Sequence, residues 1–278
     1  MWNWRQLDTH KQRLATGTII TVPLVIALAA GPYWLLTVLV AVAAGTGLWE
    51  LQRMLFTCPL SRQWQALFIL IGLFIPLAAS FGGFAGLHCA LVASLFIGFL
   101  FLLAFSPLDP AGISRLALLS LGWLYIPYLL SYVLLIGRLA EGTLWIFFGL
   151  CVNAANDIAA FYCGRQFGRH KLYEAVSPKK TVEGSLGGLS AGLVTGTLYG
   201  AFLLEGTHTG DMLLLSGCLV MLGQTGDLIE SMIKRISGRK DSSGLLPGHG
   251  GILDRLDSLL FVMPATFFFL VWKDTTLL

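Results

Sequence analysis

The chain has 278 residues, 56% of them hydrophobic and only 12% charged, with a formal net charge of +3. A soluble domain carries about 25% charged residues, so no part of this chain reads as a soluble domain large enough to fold alone. Long apolar runs recur from Thr18 to Trp272, which predicts an all-α, polytopic integral membrane protein.

In chain order, Arg5, Lys11 and Arg13 precede a first apolar run, and Ala27-Leu28-Ala29 resembles a signal-peptide cleavage site. A second apolar run begins at Tyr33, just past Gly31-Pro32, so a short helical hairpin is the simpler reading. Trp2 and Trp4 beside Arg5 suit a segment lying at the membrane interface. The apolar runs predict about nine transmembrane helices, over 17–31, 33–51, 64–81, 84–105, 114–136, 142–163, 184–204, 210–230 and 252–272. The first is short for a hydrocarbon core of ~30 Å and is expected to tilt into its neighbour or to lie partly at the interface. The five cysteines (Cys58, Cys89, Cys151, Cys163 and Cys218) show no C-x-x-C spacing and read as buried small hydrophobes, not as a disulfide framework or a zinc site.

Nine spans sort the loops onto two sides. One side holds the N-terminus, the loops near 52–63, 106–113, 164–183 and 231–251, and Arg255; it carries 16 of the 18 Lys and Arg residues, leaving only Arg138 and Lys273 on the other. The positive-inside rule then places the N-terminus and both basic loops in the cytoplasm and the C-terminus outside.

Three constellations can carry chemistry. Asp157 lies well inside a predicted span, where a carboxylate is expensive and is either functional or hydrogen-bonded to a neighbouring helix; Asn153, four residues earlier, shares its helix face. In SPKKTVEGSLGG, from Ser177 to Gly188, Lys179 and Lys180 suit phosphate or anionic headgroups. Thr181 is followed three residues on by Gly184, so there is no capping box, and Glu183 can favour a helix N-terminus. In QTGDLIESMIKR, from Gln224 to Arg235, Asp227, Glu230 and Ser231 line one helix face.

The segment from Ser231 to Ser258 then concentrates charge that the rest of the chain lacks. Lys234, Arg235, Arg239 and Lys240 precede a PGHGG turn, and Asp254 and Asp257 follow at i,i+3. Cations and bare backbone N–H groups suit phosphates, and spaced carboxylates suit a divalent metal. Two helix ends carrying Asp227 and Asp254 can hold one or two divalent ions; the alternative is plain ion pairing, for instance of Asp254 with Lys234 or Arg255. His249, between Gly248 and Gly250, suits a phosphate contact or an acid–base role.

From Ser231 to Asp257 the chain closely resembles the phosphatidate cytidylyltransferase family. The pattern S-x-x-K-R, four residues, K-D, then P-x-H-G-G-x-x-D-R-x-D reads through Ser231, Lys234, Arg235, Lys240, Asp241, Pro247, His249, Gly250, Gly251, Asp254, Arg255 and Asp257. D-I-A-A-F and G-R-x-F-G between Asp157 and Gly168, S-P-K-K-T-x-E-G from Ser177 and G-D-L-x-E-S from Gly226 belong to the same likeness, as do the opening KQRLATGTII, the Gly31 hairpin and Glu50. The resemblance implies one integral membrane domain over 1–278, with N-terminal helices in 1–145 and catalytic helices and cytoplasmic loops in 146–278. It implies the Mg²⁺-dependent reaction of CTP with phosphatidate to give CDP-diacylglycerol and pyrophosphate, at the cytoplasmic face of the inner membrane. Asp227 and Asp254 are the first expected metal ligands, with Asp157 and Asp257 behind them, for one or two ions, the second of unknown identity. Lys179, Lys180, Lys234, Arg235, Lys240 and Arg255 are expected on phosphates, together with Thr181, Ser231, Gly250 and Gly251; Lys240, His249 and Arg255 are counted with the catalytic set. The expected partners are CTP, phosphatidate and membrane lipids, with no nucleic acid and a homodimer as the assembly to test. A transporter using Asp157 and Asp227 for coupling ions would need no basic PGHGG loop and would show inverted repeats, which are not evident. A CDP-alcohol phosphotransferase would carry an upstream D-G-x-x-A-R element, which is absent.

Overall fold

The structure is a computed structural model and describes residues 21–56, 61–105, 110–246 and 250–274. The interface segment expected at Trp2, Trp4 and Arg5 lies outside the described residues, as does His249. The helices are α1 (Thr21–Ala30), α2 (Tyr33–Leu55), α3 (Arg62–Phe105), α4 (Pro110–Trp123), α5 (Tyr132–Gly137), α6 (Gly142–Phe167), α7 (Val182–Leu203), α8 (Thr209–Ile236), α9 (Leu253–Leu256) and α10 (Leu259–Lys273). A π-helical turn, Leu124–Tyr128, follows α4 around Pro127. Helices dominate because a lipid-facing backbone must satisfy its own N–H and C=O groups. The chain is an all-α polytopic membrane protein.

Seven helices among the described residues are long and apolar enough to cross a membrane, against the nine expected. Two differences account for this. First, residues 17–20 of the first expected span lie outside the described residues, and its described part, α1 (Thr21–Ala30), ended by Gly31-Pro32, is below the length counted as a crossing. Second, the spans expected over 64–81 and 84–105 form one 44-residue element, α3, which is not straight. Gly83 adopts φ 61°, ψ −144°, a conformation that a residue with a Cβ resists. The two arms fold back there: the Trp64 and Phe101 rings lie 4.3 Å apart, centroid to centroid. The last expected span also departs from one continuous helix, with a turn at Asp257 and Ser258 between α9 and α10. Asp254 and Asp257 therefore do not share one uninterrupted helix face.

The chain divides into two compact units. One comprises Met1–Leu134 and Ser237–Arg255. Its core is apolar and buries Leu48, Leu51, Phe68, Trp123 and Ile126. Trp123 is fully buried, and its Nε1 donates to the Phe68 carbonyl at 2.9 Å, which satisfies the one polar atom of the ring. Between the second arm of α3 and the π turn, Tyr128 Oη lies 3.1 Å from both His88 Nε2 and Tyr132 Oη.

The other unit comprises Leu135–Ile236 and Leu256–Leu278. Its organising element is α7, which buries Gly184, Gly188, Gly192, Gly196 and Gly200, one residue in four. In lipid, small residues at that spacing let helix backbones approach closely. A Cβ on Gly188 would sit 2.3 Å from Asn156 Oδ1 of α6, and one on Gly196 would sit 1.9 Å from Ser216 Oγ of α8. The glycines thus allow α7 to pack against α6 and α8.

The loop over 164–183 contains the only strands among the described residues. Strands β1 (Lys171–Tyr173) and β2 (Ser177–Thr181) pair antiparallel, Lys171 opposite Thr181 and Tyr173 opposite Ser177. Lys171 Nζ donates to the Pro178 carbonyl at 2.6 Å. Arg235, at the end of α8, donates from Nε to the Val176 carbonyl at 3.2 Å and ties the hairpin turn to that helix.

Candidate active site

The hairpin delivers its lysines to a cavity. A cavity of about 380 Å³ is lined by Asn156, Asp157, Ala160, Phe161, Gly164 and Arg165 of α6, by Leu172, Lys179, Lys180 and Thr181 of the hairpin, by Gly184 and Ser185 of α7, and by Gln224 and Asp227 of α8. Four elements line the cavity, and three of them supply five residues singled out in the sequence: Asp157 from α6, Lys179, Lys180 and Thr181 from the hairpin, and Asp227 from α8.

Local structure explains why each side chain is there. Thr181 is the N-cap of α7, and its Oγ1 accepts from the Gly184 N–H at 3.1 Å. The cap works without a capping box, because the third residue after it is Gly184, which has no side chain to reach back. Glu183 accepts from the Arg169 N–H at 3.0 Å and lies 2.6 Å from His170 Nδ1, so it fastens the segment after α6 to the start of α7. Beyond the cap, β2 holds Lys180 so that its Nζ lies 2.5 Å from Asp227 Oδ2. Both side chains keep roughly a quarter to a third of their surface exposed, 26% for Lys180 and 33% for Asp227.

Behind these charges runs a polar chain. Asp157 accepts from Asn153 Nδ2 at 3.3 Å and from Asn156 Nδ2 at 3.0 Å. Asn156, only 1% exposed, accepts from Gln224 Nε2 at 2.7 Å. Gln224 Oε1 accepts from Ser185 Oγ at 2.5 Å. The chain joins α6, α7 and α8 and fixes how Asp157 presents its carboxylate. Asn153 Oδ1 is buried and has no hydrogen-bond partner among the described residues. Asn156, Ser185 and Arg165 were not read from the sequence as site residues. A signal existed only for Asn156, which adjoins Asp157, and for Gln224, which stands one helical turn before Asp227.

Beyond Asp227 along α8, the expected residues take up local roles. Ser231 is buried and its Oγ donates to Asp227 Oδ1 at 3.4 Å. Lys234 pairs with the buried Glu230 one turn back. Arg235 is the contact to Val176 already described. Asp257 accepts the Ser258 N–H at 2.6 Å, and its carbonyl would lie 2.5 Å from a Cβ on Gly226, so α8 and the turn before α10 are closely packed.

The remaining expected residues belong to the Ser237–Arg255 segment. Lys240 and Arg255 are exposed. Asp254 Oδ2 accepts from Ser242 N–H at 3.0 Å, Ser242 Oγ at 2.7 Å and Gly251 N–H at 2.8 Å. Gly250 has φ 80°, and a Cβ there would sit 2.6 Å from Asp254 Oδ2. A Cβ on Gly251 would sit 2.1 Å from Ser242 Oγ. The motif glycines are thus required by the way this loop wraps the Asp254 carboxylate. Among the described residues, no group of three or more His, Cys, Asp or Glu side chains could by itself hold a metal ion.

Comparison with known proteins gives a consistent assignment. Residues 11–272 match the cytidylyltransferase family. The phosphatidate cytidylyltransferase of Bacillus subtilis (strain 168) is 34% identical over 269 residues, covering 94% of this chain and 97% of that protein. That of Staphylococcus saprophyticus is 45% identical over 125 residues, 45% of this chain and 48% of the relative. An uncharacterized protein, YnbB of Escherichia coli (strain K12), is 37% identical over 196 residues, 66% of this chain and 65% of the relative. The match runs from the first helices to the last, through both basic segments and the polar cavity, and the chain belongs to the cytidylyltransferase family.

Proposed function

We propose that the chain is a phosphatidate cytidylyltransferase and that the cavity between α6, α7, α8 and the β-hairpin is where its phosphates react. The enzyme transfers a cytidylyl group from CTP to phosphatidate and releases pyrophosphate, forming CDP-diacylglycerol for phospholipid synthesis. What carries the reading is one observation: two carboxylates, Asp157 and Asp227, and two lysines, Lys179 and Lys180, line a single cavity at the end of apolar helices. A phosphate oxygen of phosphatidate attacks the α-phosphorus of CTP; that O–P bond forms as the bond to the bridging oxygen of pyrophosphate breaks. The nucleophile is already anionic, so no strong base is required. The barrier lies in charge repulsion and alignment. Lys179 and Lys180 offset that charge, and Arg165 adds a third cation to the cavity wall.

The carboxylates suit Mg²⁺. That ion keeps several waters and is held by one or two carboxylates together with substrate phosphates, without an all-protein cage. Asp227 and Asp157 fit this pattern, since the cavity offers two carboxylates and leaves room for phosphate oxygens. Asp254 and Asp257 are further ligands assigned by the motif, and one or two ions follow from that set. When bound, Mg²⁺ would neutralise phosphate charge. Asn153 and Asn156 hold the Asp157 carboxylate in place, and Ser231 does so for Asp227. Ser231, Lys234, Arg235, Lys240, His249, Gly250, Gly251 and Arg255 are assigned to phosphate binding or catalysis by the motif. The basic loops over 164–183 and 231–251 face the cytoplasm, where CTP enters from water and phosphatidate from the inner-membrane leaflet.

The deciding experiment supplies purified protein with radiolabelled CTP, phosphatidate and Mg²⁺ and follows lipid-linked label. CDP-lipid with stoichiometric pyrophosphate is expected. A transporter or a CDP-alcohol phosphotransferase would form neither.

A further inference from the structure

Glu50 fastens the charge-bearing loop Ser237–Arg255 to the N-terminal helices. Glu50, on α2, is 0% exposed. Its Oε1 accepts from Ser243 Oγ at 2.5 Å and from the Ile252 N–H at 3.0 Å. Its Oε2 accepts from the Leu253 N–H at 2.7 Å and from Ser242 Oγ at 3.2 Å. A buried carboxylate is costly unless fully hydrogen-bonded, and four donors from one loop meet that need. The donors bracket the loop, with Ser242 and Ser243 before the PGHGG turn and Ile252 and Leu253 after it. Ser242 is shared: the hydroxyl that meets Glu50 also meets Asp254 Oδ2, and the Ser242 N–H bonds the same oxygen. Glu50 is thus one side chain removed from Asp254.

We infer that Glu50 is a positioning residue for cytidylyl transfer, which closes the 242–254 loop and, through Ser242 and the Ile252–Leu253 backbone, sets the Asp254 carboxylate. The inference rests on the proposed function for the role of Asp254, whereas the anchoring of the loop rests on the hydrogen bonds alone. The two Glu50 oxygens each take a backbone N–H. Glutamine cannot replace it, because its amide nitrogen would face a backbone N–H on one side or the other. Neither Ile252 nor Leu253 can reverse its role, so Glu50→Gln must lose at least one of these two backbone bonds and loosen the 252–253 side of the loop.

The test measures loop protection and turnover on the same preparations of wild type, Glu50→Gln, Ser243→Ala and the exposed control Glu141→Gln. Hydrogen–deuterium exchange of the metal-free protein in detergent should show the 242–254 peptides exchanging at least about tenfold faster in Glu50→Gln, with the α6 to α8 peptides unchanged. Partners that orient metal ligands typically cost ~10–100-fold when removed, so kcat of Glu50→Gln should fall by that factor and the Mg²⁺ concentration for half-maximal rate should rise. A merely structural Glu50 would lower the amount of active protein and leave the Mg²⁺ midpoint and the CTP KM as in wild type. Ser243→Ala removes one donor to Glu50, together with the acceptor of the Leu245 N–H, and leaves the carboxylate and both backbone N–H bonds to it. It should give the same two shifts in smaller degree, and it decides the matter if Glu50→Gln does not yield folded protein. Unchanged exchange in the loop would overturn the anchoring. Faster exchange with wild-type kcat and Mg²⁺ midpoint would overturn the role in transfer. Wild-type protein that makes no CDP-lipid would instead refute the proposed function, while the exchange result would still stand or fall by itself.

Discussion

Lys180 on β2 and Asp227 on α8 meet with Nζ 2.5 Å from Oδ2, and both line the same cavity. An ion pair this close, only partly buried, contributes little to stability. Under the proposed function, the ammonium would move to an arriving phosphate and leave the carboxylate open. Asp227→Asn should therefore reduce kcat by at least ~10²–10³-fold, the usual cost of a lost transition-state contact. Steady-state kinetics at several Mg²⁺ concentrations, on folded and monodisperse protein, checks this. Near-wild-type kcat with unchanged Mg²⁺ dependence would leave ion pairing as the better account of Asp227.

Lys180→Met keeps the length of the side chain and removes its charge. Its defect should fall mainly on the CTP KM, as should that of Lys240→Ala, because both would weaken phosphate binding and spare the carboxylates. The measurement is initial rate against CTP at saturating phosphatidate. A loss confined to kcat for either variant would remove it from the phosphate binders.

The assignment to cytidylyl transfer predicts CTP, or dCTP, over ATP and GTP. Initial rates of lipid-linked nucleotide formation with each nucleotide test this, and comparable rates with all of them would remove base selection from the reading.

Gly188→Ala should destabilise the protein by about 1–3 kcal/mol, the usual cost of overpacking a well-filled interface. The new Cβ would sit 2.3 Å from Asn156 Oδ1, the atom that accepts from Gln224. Turnover should drop as well, because Asn156 also holds Asp157. Gly210→Ala, with nothing within 4 Å of its added Cβ, is the control and should be neutral. Thermal unfolding and activity are measured on both. A Gly188→Ala protein indistinguishable from the control would mean that α6 and α7 can separate at no cost.

Reporter cysteines in a cysteine-free variant test the orientation. Gly244→Cys, in the basic loop, should resist an impermeant maleimide applied to intact cells, whereas Glu205→Cys, between α7 and α8, should react. The reverse pattern would place the site away from cytoplasmic CTP.

Composition and periodicity were enough to define the fold class, because twenty apolar residues have few options in lipid besides a helix. They were not enough for the count. The break expected between 64–81 and 84–105 falls at Gly83, whose φ of 61° turns α3 back on itself, but both arms stay in one element, Arg62–Phe105.

The site divides along the same line. Residue type and spacing in SPKKT, GDLIES and PGHGGILDRLD mark which side chains suit phosphates and metal, since charge in an apolar chain is costly and is spent where it is used. Sequence alone also placed Asn153 and Asp157 on one face, and the structure has them hydrogen-bonded. Tertiary structure decided what meets across distance. A short hairpin read only as a loop carries Lys180 to Asp227. The buried Asn156 links Asp157 to Gln224 and Ser185. Glu50, which the sequence marked only as part of the family likeness and without a role, receives four hydrogen bonds from a loop about two hundred residues away. Local propensity and hydropathy are properties of neighbours in the chain, whereas these contacts depend on how helices pack, and no spacing rule encodes that.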